Sequence, residues 1–180
     1  MAIKKDTPVE EVIRLSTLCA KCGKCCEKGS GFVLNHEIQK IARHLGINET
    51  NFIRKFLDPV MAYHTSKHRM KVRKRSKPYG HCIFLDKNTN QCNIHEVKPV
   101  HCRIGSCKEH GESAMQWYFL NFFVNKDDPS SIREWKIYTD MNNVIEGGKP
   151  EDLVGMEKLL KILNYEDLTI QAPKPKAKKN

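Results

Sequence analysis

Four cysteines fall within eight residues in the stretch Cys19-Ala-Lys-Cys22-Gly-Lys-Cys25-Cys26. A buried free cysteine behaves as a small hydrophobe, and packing gives no reason to repeat it every third residue beside lysine and glycine. Metal binding does give a reason. A C-x-x-C turn points two thiolates at one centre, and a further cysteine one step on adds another donor. Gly23 suits the tight backbone of such a knuckle. Four more cysteines follow at Cys82, Cys92, Cys102 and Cys107. The chain between the two groups is expected to bring them together.

Thiolates are soft ligands that select zinc, copper(I) or iron–sulfur clusters over magnesium or calcium. The run C-x-x-C-x-x-C resembles part of a ferredoxin ligand set. Structural zinc more often takes paired C-x-x-C knuckles, and no second pair exists downstream. The spacing therefore favours an iron–sulfur cluster, such as a 4Fe-4S centre, over zinc. Eight cysteines also exceed one tetrahedral set, which leaves a binuclear site open. Cys25 and Cys26 cannot easily both serve one ion, so one of them is expected at a second site or as a free thiol. His81, His95 and His101 stand close to cysteines and could ligate, although a hydrogen-bonded or solvated role is the commoner one. Arg103, next to Cys102, is a candidate to donate hydrogen bonds to cysteine sulfur, with a surface ion pair as the alternative.

Composition narrows the setting. The chain has 180 residues and 39% hydrophobic side chains, enough for one modest core. No apolar run is long enough to span a membrane. The polar start Met1-Ala2-Ile3-Lys4-Lys5-Asp6 lacks the pattern of a secretory leader. A cytoplasmic location is expected, and thiols there stay reduced, which favours metal over disulfides. The net charge of +10 is concentrated. Residues 67–77 hold Lys67, Arg69, Lys71, Arg73, Lys74, Arg75 and Lys77 without an acid, and the last nine residues hold Lys174, Lys176, Lys178 and Lys179. The rest is close to neutral. The basic segment could meet phosphates of a nucleic acid or an acidic protein partner. It lacks the interleaved aromatics that stack on single strands, and an edge strand guarded by lysine and arginine explains it as well. Nucleic-acid binding is accordingly not favoured.

The elements that must position these residues read mainly as helices. Thr7-Pro8-Val9-Glu10 looks like a helix start leading into the cysteine cluster. Asn35 should cap a helix carrying Ile38, Ile41, Ala42 and Leu45, and Asn48 a third carrying Phe52, Ile53, Phe56 and Leu57, ended by Pro59. Arg69 to Arg73 alternates as a half-buried or edge strand. Cys82 and Cys92 should flank a hairpin, and Pro99 should precede a bend that presents Cys102. The aromatic run Trp117 to Val124 fits either a strand or a buried helix. Asp128-Pro129 starts a clear helix, broken at Gly147-Gly148, and Pro150 opens a last one through Leu163. The expected fold is mainly α with a short β-hairpin, a small α+β, metal-centred single domain over residues 1–171. A helical C-terminal extension is expected at 113–165 and a disordered Lys/Pro tail at 172–180.

Cys19-x-x-Cys22-x-x-Cys25-Cys26, then Cys82-Ile83-Phe84-Leu85, Cys92-x-Ile94 and Lys98-Pro99-x-x-Cys102-Arg103, resembles the YkgJ family of cysteine-cluster proteins. This family is also described as the CxxCxxCC, zinc- or iron-chelating domain. The resemblance runs from about residue 17 to 103 and includes the helical insert from Asn35 to Leu57. It implies metal chelation by the seven matching cysteines, with Cys107 as an eighth candidate. Some relatives are, or are fused to, protein-lysine methylases of flagellin in which an iron–sulfur cluster is implicated. The sequence departs from the pattern at Lys98, where arginine is usual, and at Ile104-Gly105, where an aromatic-proline step is usual.

The leading expectation is therefore a metal-chelating protein binding an iron–sulfur cluster or zinc. Two other classes stay open. One is a cluster-dependent enzyme, methylase-like or redox. The other is a zinc-stabilised adaptor for nucleic acid or protein. Phosphate-binding loops, dinucleotide fingerprints, zinc-protease and serine-hydrolase motifs are all missing.

Overall fold

The computed structural model describes residues 2–16, 22–73, 80–105 and 110–166. Cys19, Cys107, Lys74, Arg75, Lys77 and the Lys/Pro tail lie outside the described residues. About half of the chain is helical, with small antiparallel sheets, as a small α+β fold requires. In chain order the helices are α1 (Val9–Ser16), α2 (Lys24–Lys28), α3 (Asn35–His44), α4 (Glu49–Phe56), α5 (Val100–Ile104), α6 (Gly111–Phe122), α7 (Pro129–Met141), α8 (Pro150–Val154) and α9 (Met156–Leu163). The strands are β1 (Phe32–Val33), β2 (Leu57–Ala62), β3 (Thr65–Met70), β4 (Val72–Arg73), β5 (His81–Cys82), β6 (Leu85–Asp86) and β7 (Gln91–Cys92). None of the described helices is long and apolar enough to cross a membrane.

The described part of the basic segment, residues 67–73, forms strands, but it is not simply an edge. β3 is the middle strand of a β1–β3–β2 sheet, with Phe32 opposite Arg69 and Leu57 opposite Met70. It is followed by β4, which pairs with β5 and sets Val72 opposite Cys82. Two of its cations are spent on the fold: Lys71 Nζ donates to the Arg54 carbonyl at 2.7 Å and Arg73 to the Ile83 carbonyl at 3.3 Å. The edges are β1 and β2. In β2, Pro59 lies inside a strand and does not merely end a helix, because an edge strand tolerates the missing N–H. The expected hairpin is β6–β7, with Leu85 opposite Cys92. Cys82 belongs to the preceding pair and not to the hairpin itself.

The β2–β3 turn has only two residues, Tyr63 and His64, and both have positive φ, 49° and 56°. Asn-Gly normally supplies that geometry. Here tertiary contacts hold it. The Tyr63 ring packs on Phe119 and Trp135 with centroids 5.4 and 5.2 Å away. His64 N–H donates to Glu134 at 3.0 Å, and His64 Nδ1 meets the Asp128 carboxylate at 2.6 Å.

The run from Trp117 is a helix, and its all-round apolarity follows from its position. Trp117 Nε1 donates to the Thr7 carbonyl on one side, while Gln116 donates to the Asn143 carbonyl and accepts from Ile145 N–H on another. Asp128 caps α7 by accepting from Ser130 N–H at 2.9 Å, as its Asp-Pro start suggests. Other ends differ from expectation. Leu34, not Asn35, is the residue before α3, and the Thr7 hydroxyl accepts from Lys4 N–H ahead of α1. The last helix is two helices, because Gly155 at φ 79° interrupts it.

Two cores flank the cysteines. One gathers Ile38, Ile41, Phe52, Met70, Phe84 and Ile94, with Cys82 inside it. The other gathers Val12, Ile104, Trp117, Tyr118 and Phe123. Replacing Asp128 with alanine removes both the α7 cap and the anchor of the β2–β3 turn. A loss of at least about 1 kcal/mol is expected in urea unfolding, from the cap alone. Asp128 also raises the His64 pKa through its hydrogen bond, so that contribution is fully present below the unfolded histidine pKa and is lost as pH rises through the folded one. The Asp128→Ala deficit should therefore be larger at pH 6 than at pH 9.

Candidate metal centre

Four separate elements deliver cysteines to one cavity of about 400 Å³. The sequence places Cys25 and Cys26 on α2, Cys82 on β5, Cys92 on β7 and Cys102 on α5, and all five line the wall. The local reasons are legible. Gly23 adopts φ 73° immediately before α2, and its carbonyl accepts from Cys26 and Glu27 N–H at 2.8 and 3.0 Å, which turns the chain between Cys22 and Cys25. A Cβ there would come within 3.2 Å of the Asn90 carbonyl, so Gly23 also lets the knuckle approach the β6–β7 turn. Pro99 stands before α5, and its carbonyl accepts from Cys102 N–H at 2.9 Å. That is the bend the Pro-x-x-Cys spacing implies.

Gly31 has the sharpest constraint. A Cβ on it would occupy the position of Cys102 Sγ. Only a residue without a side chain lets α5 bring that sulfur against the backbone ahead of β1. No sequence motif marks this glycine, which sits in an ordinary-looking Gly29-Ser30-Gly31 loop.

The sulfurs sense one another. Cys25 and Cys26 Sγ lie 3.9 Å apart. The contact between them lowers the Cys25 pKa to about 6, with help from the Cys25 and Cys26 backbone N–H groups and from Lys98 on the same cavity wall. The same contact pushes the Cys26 thiol up. Burial raises Cys82 to about 11 and also raises Cys92. Burial raises Cys102, and the neighbouring Cys82, Cys92 and Cys25 sulfurs raise it further. A bound cation would favour the ionised form of each thiol and so offset the burial that raises Cys82, Cys92 and Cys102. In kind and place the donors fit a thiolate-held metal. Among the described residues, no set of three or more His, Cys, Asp and Glu side chains is arranged to hold a metal ion as it stands. Coordination by these five thus requires their side chains to turn toward a common centre.

The other candidates are placed as follows. Cys22 is exposed and is not part of the wall. Cys19 and Cys107 lie outside the described residues. His95 and His101 line the cavity, whereas His81 does not. His101 packs edge-on against Phe32 and Tyr118 at 4.8 and 5.0 Å, and burial lowers its pKa to about 4. Its ring is therefore neutral at neutral pH. Arg103 is exposed on α5 and is not part of the cavity wall. Residues that the sequence did not single out help complete the wall, among them Gln91 and Met115.

A family model described as "CxxCxxCC: Putative zinc- or iron-chelating domain" matches residues 18–119. The chain is also similar to an uncharacterized protein of Methanocaldococcus jannaschii, 31% identical over 86 residues. That match covers 48% of this chain and 42% of the relative, so the chain spans less than half of the relative's length. No solved structure matches.

Two outcomes are expected from this geometry. Gly31→Ala should destabilise the protein by about 1–3 kcal/mol in denaturant unfolding, because the new methyl group and Cys102 Sγ cannot share one place. Raised thiols must give up protons to bind metal. Zinc added to reduced, metal-free protein in weakly buffered solution at pH 7 should release more than one proton per ion, and acidification should release the metal. An indicator dye reads the first outcome and a zinc chromophore the second.

Proposed function

The chain belongs to the CxxCxxCC family, and from that premise we propose that it is a metal-chelating protein whose centre is built on Cys25, Cys26, Cys82, Cys92 and Cys102. The observation that carries this reading is the convergence of five cysteines, from segments up to 77 residues apart in sequence, on one cavity wall. Cys22 completes the C-x-x-C knuckle from its exposed side, and Cys19 and Cys107 are further ligands by their place in the sequence. Zinc or iron is the metal class that the donors suit.

An iron–sulfur cluster is the finer proposal. Five cavity cysteines exceed what one tetrahedral ion takes, and they are spread around a wall instead of meeting at a point. Thiolates spread in this way would suit a polynuclear centre better than a single ion. When bound it would supply electron transfer or, with an open iron, substrate activation. The chain's own residues do the rest. Met70, Ile94, Pro99 and Met115 keep the surroundings apolar, Lys98 offsets thiolate charge, and the neutral His101 ring closes one wall without adding charge. These properties also suit a cluster-dependent enzyme.

Anaerobic purification followed by metal and acid-labile sulfide analysis tests the proposal. Matched iron and sulfide with broad visible absorption is expected. Colourless protein with stoichiometric zinc would replace the cluster with a zinc site on the same ligands. Neither metal in reduced protein would overturn chelation. Cys92→Ser and Cys102→Ser should each lose most bound metal, and Cys22→Ser less, because Cys22 lies off the wall.

A further inference from the structure

Glu37 stands at a junction outside the cavity wall. Its two carboxylate oxygens accept from backbone N–H groups in different parts of the chain. Oε2 takes Leu34 N–H at 2.8 Å, and Oε1 takes Val100 N–H at 2.7 Å. The first bond is local and belongs to the start of α3. The second reaches 63 residues along the chain to the first residue of α5. Ionised acceptors make the stronger backbone hydrogen bonds.

Both bonded segments lead to the same contact. Leu34 lies three residues after Gly31, and Val100 lies two residues before Cys102. Cys102 Sγ fills the space that a Cβ on Gly31 would need. The carboxylate therefore joins the two sides of the Gly31–Cys102 contact and closes a small ring of interactions around it. Tyr118 belongs to the same junction: it is buried, and the nearby Glu37 and Cys102 both act on its phenol.

We infer that Glu37 is a positioning residue for the thiolate centre: by bridging the Leu34 and Val100 amides it seats Cys102 against Gly31 and sets where that sulfur faces the cavity. The inference rests on the metal-chelating reading above. In the sequence, Glu37 looks like an ordinary acid in the first turn of a helix.

The test uses the full chain, reduced and metal-free, with Co²⁺ as the probe. Thiolate-to-cobalt absorption reports the bonds directly. Glu37→Gln keeps the size but turns an amide NH₂ toward one of the two N–H donors. It is expected to weaken Co²⁺ binding about tenfold and to change the charge-transfer spectrum. Gln39→Ala, at an exposed position of the same helix, should change neither. In the metal-free protein, maleimide labelling mapped by mass spectrometry should show Cys102 becoming more reactive in Glu37→Gln, with Cys22 unchanged. If Glu37→Gln does not fold, Glu37→Asp, which keeps the charge but shortens the reach, carries the same expectations. A folded variant with wild-type Co²⁺ affinity, spectrum and Cys102 labelling overturns the inference, whatever its melting temperature. If the wild-type protein itself gives no thiolate–cobalt absorption, the chelating reading fails, and the Cys102 labelling then decides the role of the bridge alone.

Discussion

Burial disfavours the ionised form of a thiol, and this constraint shapes the centre of the protein. Cys82, Cys92 and Cys102 are each held toward the protonated form by burial, and the crowding of neighbouring sulfurs adds to the effect at Cys102. Of the five, Cys25 alone is driven the other way, by its contact with Cys26 and by Lys98 on the same wall. A fold that gathers five sulfurs in this manner holds an arrangement that favours a cation. The energy for keeping the four elements together must come from the surrounding cores, since the sulfur–sulfur contact of Cys25 and Cys26 lies within α2 and joins no two elements.

Those cores lie on either side of the cavity. α3, α4 and the small sheets form the first, with Phe52, Phe56 and Phe84 stacked at centroid distances of 5.2 to 6.5 Å. α1, α5 and α6 form the second. The cysteines sit within short elements, two to five residues long, that would have little stability alone. Their positions are set by what the elements rest on. α5 is seated by Pro99 and Glu37, β5 by pairing with β4, and β7 by pairing with β6.

The C-terminal helices are tied to this arrangement through the β2–β3 turn. Tyr63 and His64 adopt a backbone that their side chains do not favour, and both contact residues beyond α6. Thr65 adds a hydrogen bond to the Phe123 carbonyl at 2.6 Å. The turn is thus formed by what it packs against and not by its own sequence.

A metal-chelating chemistry and much of the helical framework are legible in the sequence. Cysteine spacing needs no tertiary information to exclude ordinary packing, and Asp128-Pro129 or Asn48 act within one helical turn, so their effects are local and readable. Tertiary structure decided what depends on distant partners. Pro59 joins a strand because β3 lies beside it, the aromatic run becomes a helix because it is enclosed on several sides, and β3 takes the centre of its sheet because β1 pairs with its far edge. It also decided which cysteines share the cavity. Cys22 keeps the motif spacing yet lies off the wall, while Gly31 and Glu37, which no motif marks, govern the seat of Cys102. A close approach or a bridging carboxylate is a relation between two points in space, and a single stretch of sequence carries only one of them.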